Sequence, residues 1–342
     1  MTQMPDLTAF SRVSATLDID APGKAFGHLA IPHSNDASAW GSVRMPICVI
    51  NGGAGPTVLF TGGNHGDEYE GPISLMRLAQ ELQPEELSGR VIVLPSLNHA
   101  AVRAGKRVSP IDGRNMNRIF PGRWDGSVSE MAADYVYNQL VGRADVVCDL
   151  HSGGKTLDFV PSVAMHALPD PEMRRKTKEA ILAFGAPVAL VLIEMDNKGM
   201  LDTAVEEAGK LFVTTELGGG GTTRPWSNAV AQRGVVNLLC HLGMLDESRM
   251  QGPEQPTRLL HTPEQGAFVV SRHQGMVEVL ADIGSEVQAG QPLCRIHDFE
   301  DIDTPPEDYP APIGGMLYCR HYPGLVERGD CLAVIAQDGE PG

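Results

Sequence analysis

From about residue 57 onward the apolar residues fall into two alternating patterns. Short apolar runs at Thr57–Gly62, Val91–Leu97, Asp145–Leu150 and Phe212–Glu216 read as buried strands. Between them lie longer stretches with apolar residues at helical spacing. In Gly71–Leu82 the stripe is Ile73, Leu75, Met76, Leu78, Ala79 and Leu82. In Ser129–Val141 it is Met131, Ala132, Tyr135, Val136 and Leu140, with Ser127 or Ser129 placed to cap the first turn. Glu172–Phe184 and Asn228–Leu242 carry the same period. Strands alternating with helices predict an α/β fold around a mixed or mostly parallel sheet flanked by helices.

The pattern changes near Glu247. Residues 247–265 are polar and proline-bearing and read as a linker. Beyond them short β-like runs alternate with turns centred on Gly284, Gly290 and Gly314–Gly315, without a helical period. The expected organisation is an α/β domain over residues 1–250 and a smaller, all-β domain over residues 251–342.

Composition narrows the function classes. Asp and Glu total 43 against 27 Lys and Arg in 342 residues, a net charge of −16. Nucleic acid and anionic membrane surfaces both call for a cationic footprint, so neither is expected as a partner. No apolar run approaches the ~18 residues that span a bilayer, and the first twenty residues lack the basic start and apolar core of a secretory leader. Six well-separated cysteines with no CxxC read as reduced thiols, which points to the cytoplasm.

Three segments break into polar residues at the ends of apolar strands: Gly63-Asn-His-Gly-Asp-Glu68, Asp149-Leu-His151-Ser-Gly-Gly, and Thr215-Glu216 followed by Leu217 and four glycines. Ligands of open α/β sheets collect at the carboxyl ends of strands, so His65, Glu68, His151 and Glu216 are expected at one edge. A short-spaced His65/Glu68 pair with the distant His151 suits a His₂Glu zinc site that keeps a fourth position open. HxxE alone is common by chance. The agreement of three strand ends, each followed by glycine, is what makes a metal site the expectation. Glu216 ends an apolar run, where a carboxylate is costly unless partnered. A salt-bridged structural Glu is the bland reading, and a general base and acid is the sharper one.

The Gly/Pro-rich loop from Lys106 to Gly122 carries Arg107, Arg114 and Arg118, the last beside Asn117. An Asn next to an Arg makes a multi-donor grip for a carboxylate, and a further Arg near the metal suits a developing oxyanion. At least one of these arginines is expected to be a solvated loop charge.

HGDE, DGRNMNRIFPG, DLHSGG and TELGGGG, in that order, resemble the succinylglutamate desuccinylase/aspartoacylase branch of the zinc carboxypeptidase superfamily. The resemblance covers most of residues 40–245. It implies a zinc-carboxypeptidase-like fold with His65, Glu68 and His151 holding one Zn²⁺ per chain and Glu216 as the catalytic carboxylate. It also implies Asn117 and Arg118 as the grip on a substrate α-carboxylate. For the arginine that polarises the carbonyl it leaves Arg107 favoured and Arg114 as rival. The C-terminal region resembles a barrel-sandwich, biotinyl/lipoyl-like fold. No lysine follows Lys210, so a carrier role is excluded and shielding of the active site is left.

The implied activity is hydrolysis of the amide of a small N-acyl amino acid. The resemblance carried by stretches such as TGGNHGDEYEGP and SPIDGRNMNRIFPGR implies Nα-acetyl-L-2,4-diaminobutyrate, a substrate of ectoine degradation. N-acetylaspartate, N-succinylglutamate and C-terminal peptide bonds are the alternatives, and a homodimer is implied. A product with a side-chain ammonium calls for acidic groups, for which Glu194 and Asp196 are candidates, or else a solvated loop.

Overall fold

The computed structural model describes residues 11–192, 198–263 and 266–340. It opens with β1 (Ser14–Ala15), β2 (Gly23–Pro32), β3 (Ser42–Asn51), β4 (Thr57–Gly62) and α1 (Glu70–Glu81). Next come β5 (Arg90–Leu94), α2 (His99–Ala104), α3 (Val128–Tyr135) and β6 (Val146–His151). β7 (Leu157–Phe159), β8 (Ser162–His166), α4 (Pro171–Phe184), β9 (Val188–Leu192), α5 (Leu201–Glu207), β10 (Leu211–Glu216) and α6 (Pro225–His241) follow. The strands β11 (Arg258–His261), β12 (Phe268–Val270), β13 (Gly275–Val279), β14 (Glu286–Val287) and β15 (Pro292–His297) begin the C-terminal part. β16 (Glu307–Pro310), β17 (Gly315–His321), β18 (Leu325–Val326) and β19 (Cys331–Asp338) complete it.

Two compact units form. One is Met1–Leu150 with Asp196–Val213 and Leu239–Arg249, and the other is His151–Met195 with Thr214–Leu238 and Met250–Gly342. Cuts fall inside β6, β10 and α6.

In the first unit the strand order is β1-β2-β3-β5-β4-β6. β2 and β3 pair antiparallel along their full length, while β4 runs parallel to both β5 and β6. Every residue of β4 and β6 is buried, as expected of strands covered on both faces and written as continuous apolar runs. Leu59 of β4, Ile92 and Leu94 of β5 and Val147 of β6 pack with Phe120, Met131, Val136 and Leu201. In register Gly62 of β4 lies opposite Leu150 of β6, so the two strands end level.

In the second unit the order is β10-β8-β9-β11-β19-β17-β14, with β12 on β19 and β7 on β17. A separate four-stranded sheet, β16-β15-β13-β18, completes the all-β C-terminal part. Its core is built from Leu293, Ile296, Leu317, Leu332 and Ile335 among others. The sheet is mixed: β8, β9 and β11 are mutually parallel neighbours, and β10 is antiparallel to β8.

Local differences from the pattern have physical causes. The stripe over 129–141 is not one α-helix: α3 ends at Tyr135 and a π turn follows at Val136–Leu140. The wider turn keeps Val136, Leu140 and Val141 all facing the core, each at most 1% exposed. The polar stretch 247–265 is more than linker, since it contains β11, which pairs parallel with β9.

Candidate active site

His151 is the last residue of β6, and the segment Gly63–Glu68 leaves the end of β4. Ligand atoms of His65, Glu68 and His151 all lie within 4.8 Å of one another. The three residues are 3%, 2% and 8% exposed. The tight loop that delivers the first two depends on Gly66. A Cβ there would sit 2.0 Å from the backbone carbon of Ala101 in α2, and the Gly66 N–H donates to the Lys106 carbonyl at 3.0 Å. Asp149, buried two residues before His151, accepts from Thr61 Oγ1 at 2.7 Å and from Asn64 Nδ2 at 2.8 Å. That carboxylate ties the start of the loop to the strand.

The donor set fits a cation. Asn115 Oδ1 accepts the Asn117 N–H at 3.0 Å and lies 3.2 Å from His65 Nε2. As an acceptor it assigns the proton to Nε2. Nδ1 then presents a lone pair to Glu68 Oε1 only 2.7 Å away. Two acceptors that close call for positive charge between them, a proton or a metal ion. A second ring nitrogen held by an amide oxygen is the usual outer support of a ligating histidine.

Glu216 ends β10, half-buried, and its surroundings are set by main-chain bonds. Thr215 Oγ1 accepts from the His151 N–H at 3.1 Å and reaches the His151 carbonyl at 3.2 Å, while Leu217 N–H donates to that same carbonyl at 3.0 Å. The residues on either side of Glu216 therefore grip the backbone of His151. Behind it, the Gly218 carbonyl accepts from Gly153 at 3.0 Å and Phe159 at 3.1 Å, which seats the glycine run.

The four loop residues separate in role. Arg107 Nη1 lies 3.4 Å from Glu68 Oε1, beside the candidate ligands. Arg114 turns to Glu130 at 3.7 Å instead. Asn117 is buried, in a 3₁₀ turn at Met116–Arg118, and its Oδ1 accepts the Leu201 N–H at 2.9 Å. It thus caps α5, which has no side-chain cap of its own. Arg118 is exposed, with Nη1 on the Asn117 carbonyl at 2.7 Å. Glu194 and Asp196 lie outside the described residues.

Sequence reasoning passed over Asn115, Asp149 and Asp158. Asp158, 1% exposed, accepts bidentately from Arg224 at 2.8 and 2.9 Å, with Arg320 of β17 at 3.7 Å. The only signal for Asn115 was its place within RNMNR, and Asp158 had none.

Known proteins share this chain's sequence and fold. The succinylglutamate desuccinylase/aspartoacylase catalytic domain matches residues 54–242. An N-alpha-acetyl-L-2,4-diaminobutyric acid deacetylase from Halomonas elongata is 47% identical over 337 residues, 98% of each chain. The product-bound structure of the ectoine utilization protein EutE from Ruegeria pomeroyi superposes with a TM-score of 0.93 at 48% identity, covering 96% of this chain and 99% of that one. A succinylglutamate desuccinylase structure from Silicibacter gives 0.92 at 45% identity, over 96% and 99%. With half the chain matched by the catalytic domain and nearly all of it by these relatives, the chain belongs to the succinylglutamate desuccinylase/aspartoacylase family.

Proposed function

We propose that this chain hydrolyses Nα-acetyl-L-2,4-diaminobutyrate to acetate and L-2,4-diaminobutyrate, in ectoine breakdown. Membership of the family makes it a hydrolytic deacylase. The observation that carries the substrate reading is the 47% identity to the Halomonas elongata deacetylase over nearly the whole of both chains.

In this reading His65, Glu68 and His151 hold one zinc ion, because two imidazoles and a carboxylate favour zinc over calcium or magnesium. What a divalent ion supplies in such a site is Lewis-acid polarisation and a water pKa lowered to about 7. Glu216 takes the proton of the attacking water and delivers it to the departing α-amine. Arg107, beside Glu68, stabilises the charge that develops on the carbonyl oxygen. Arg118 binds the substrate carboxylate, and Asn117 adds its amide nitrogen while its oxygen stays on α5. Arg114 contributes positive charge to the same loop from its place on Glu130.

Residues 1–250 form the catalytic domain, and the β domain of residues 251–342 shields the site. Two contacts support shielding: β17 pairs with β7, and the Tyr322 ring sits on Gly220, where a Cβ would lie 2.5 Å from it. The six unpaired thiols accord with a cytoplasmic enzyme. Among the described residues no helix is long and apolar enough to cross a membrane. A homodimer is assigned on family resemblance, for light scattering to test.

The decisive experiment is acetate release, followed by proton NMR, from Nα-acetyl-2,4-diaminobutyrate, its Nγ isomer, N-acetylaspartate, N-succinylglutamate and a dipeptide, with and without a zinc chelator. We expect fast, chelator-sensitive cleavage of the Nα isomer. Preference for another acyl amino acid, or for the dipeptide, replaces the substrate. Silence of the zinc-loaded protein across the panel overturns the mechanism.

A further inference from the structure

Ser162 opens β8 directly opposite Glu216 at the end of β10. Facing residues of an antiparallel pair stand on the same side of the sheet with Cβ atoms about 5 Å apart. Ser162 is fully buried, and its Oγ lies 2.6 Å from the Oη of Tyr318, which is 2% exposed. Tyr318 comes from β17, in the C-terminal β region, and its ring is set edge-on against Phe159 with centroids 5.4 Å apart. A phenol and a hydroxyl, both out of water and hydrogen-bonded to each other, are therefore placed beside the carboxylate that acts as base.

We propose that Tyr318, acting through Ser162, is a positioning residue for Glu216, contributed to the reaction by the β domain. The argument rests on reading Glu216 as the catalytic carboxylate. Burial, and next the negative charge of Glu216, push the Tyr318 hydroxyl well above the usual tyrosine range, so it stays a neutral donor throughout the working pH. A fixed neutral donor beside a carboxylate sets its orientation without competing for the proton it must carry. Each hydroxyl is partnered by the other, so removing one alone leaves the other buried and unsatisfied, which is destabilising. An apolar pair of the same shape fills the space as well.

That last point supplies the test. Tyr318→Phe, Ser162→Ala and the double variant are compared with the wild-type chain on the acyl substrate that it cleaves. Positioning predicts that Tyr318→Phe lowers kcat by about tenfold or more, as loss of an outer support does, with KM within about twofold. If Tyr318→Phe folds poorly because Ser162 is left unpaired, the double variant removes both polar groups and restores folding. Positioning predicts that it still turns over slowly. A double variant with wild-type kcat would overturn the proposal. The second readout needs no substrate: with carboxyl-¹³C glutamate in the full chain, and Glu216→Gln to assign the signal, the Glu216 resonance should move in Tyr318→Phe. An unmoved resonance also overturns the proposal. Wild-type silence on every acyl substrate would instead sink the deacylase mechanism, while the resonance still decides on Tyr318.

Discussion

At the scale of single residues, the proposed mechanism distinguishes groups that would meet the substrate from groups that hold them. Among the described residues, exposed Arg118 is tethered through its neighbour's carbonyl by Nη1 alone, which leaves most of its donors for a ligand. Arg118→Ala should therefore lower kcat/KM for the free acid by about 100-fold, the size of one lost charge-assisted contact, and change it little for the corresponding amide. Steady-state kinetics on both substrates check this, and equal losses would give Arg118 another task. The cluster of His65, Glu68 and His151 was legible in the sequence because each ends or follows an apolar strand, where a polar residue needs a reason. Asn115, Asp149 and Ser162 were not. Each has a contact with a partner 50, 88 or 156 residues away, and no local pattern marks such pairs.

Among the elements, the loop that carries Arg107 to Arg118 is secured at the N-terminus of α3. Ser127 and Glu130 form a capping box there. Asp112, from the loop, accepts from the Ser129 N–H at 2.8 Å and from Ser129 Oγ at 3.0 Å. Burial would raise the Asp112 carboxyl, but the hydrogen bonds from Ser129, Ser127 and Arg114 overcome it and hold the pKa below its usual value. Glu130 is lowered as well, chiefly by the Ser127 N–H. A depressed carboxyl stabilises the fold above its ordinary pKa, about 4, and loses that contribution as pH falls through the folded value. Amide exchange at Ser129, corrected for intrinsic rate, should accelerate as pH drops below about 4. In Asp112→Asn it should be fast already at neutral pH. The elements themselves were partly legible: β4, β6, β10, α1 and α4 match their apolar runs within a residue or two. The π turn after α3 was not, because a stripe at helical spacing cannot show where the helix widens.

For the molecule as a whole, six cysteines spread through both units illustrate how far reactivity is a property of packing. Burial raises all six thiols. Cys48, Cys294 and Cys331 reach about 11, Cys148 and Cys319 go well above the usual value, and Cys240 is raised less. Since the thiolate is the nucleophile, iodoacetamide at pH 8 should leave the native chain unlabelled over a time in which the denatured chain takes up six equivalents, counted by intact mass. The hydroxyl pair Ser162–Tyr318 carries a different lesson. It joins residues 156 apart, and β17, which brings Tyr318, is the last long strand but one. Closing so distant a contact is slow compared with forming a helix or hairpin. A growing chain that already has β6 and β10 therefore lacks the Ser162–Tyr318 hydrogen bond until β17 has been made. If Tyr318 positions Glu216 as proposed, catalytic competence waits for β17 to dock on β7.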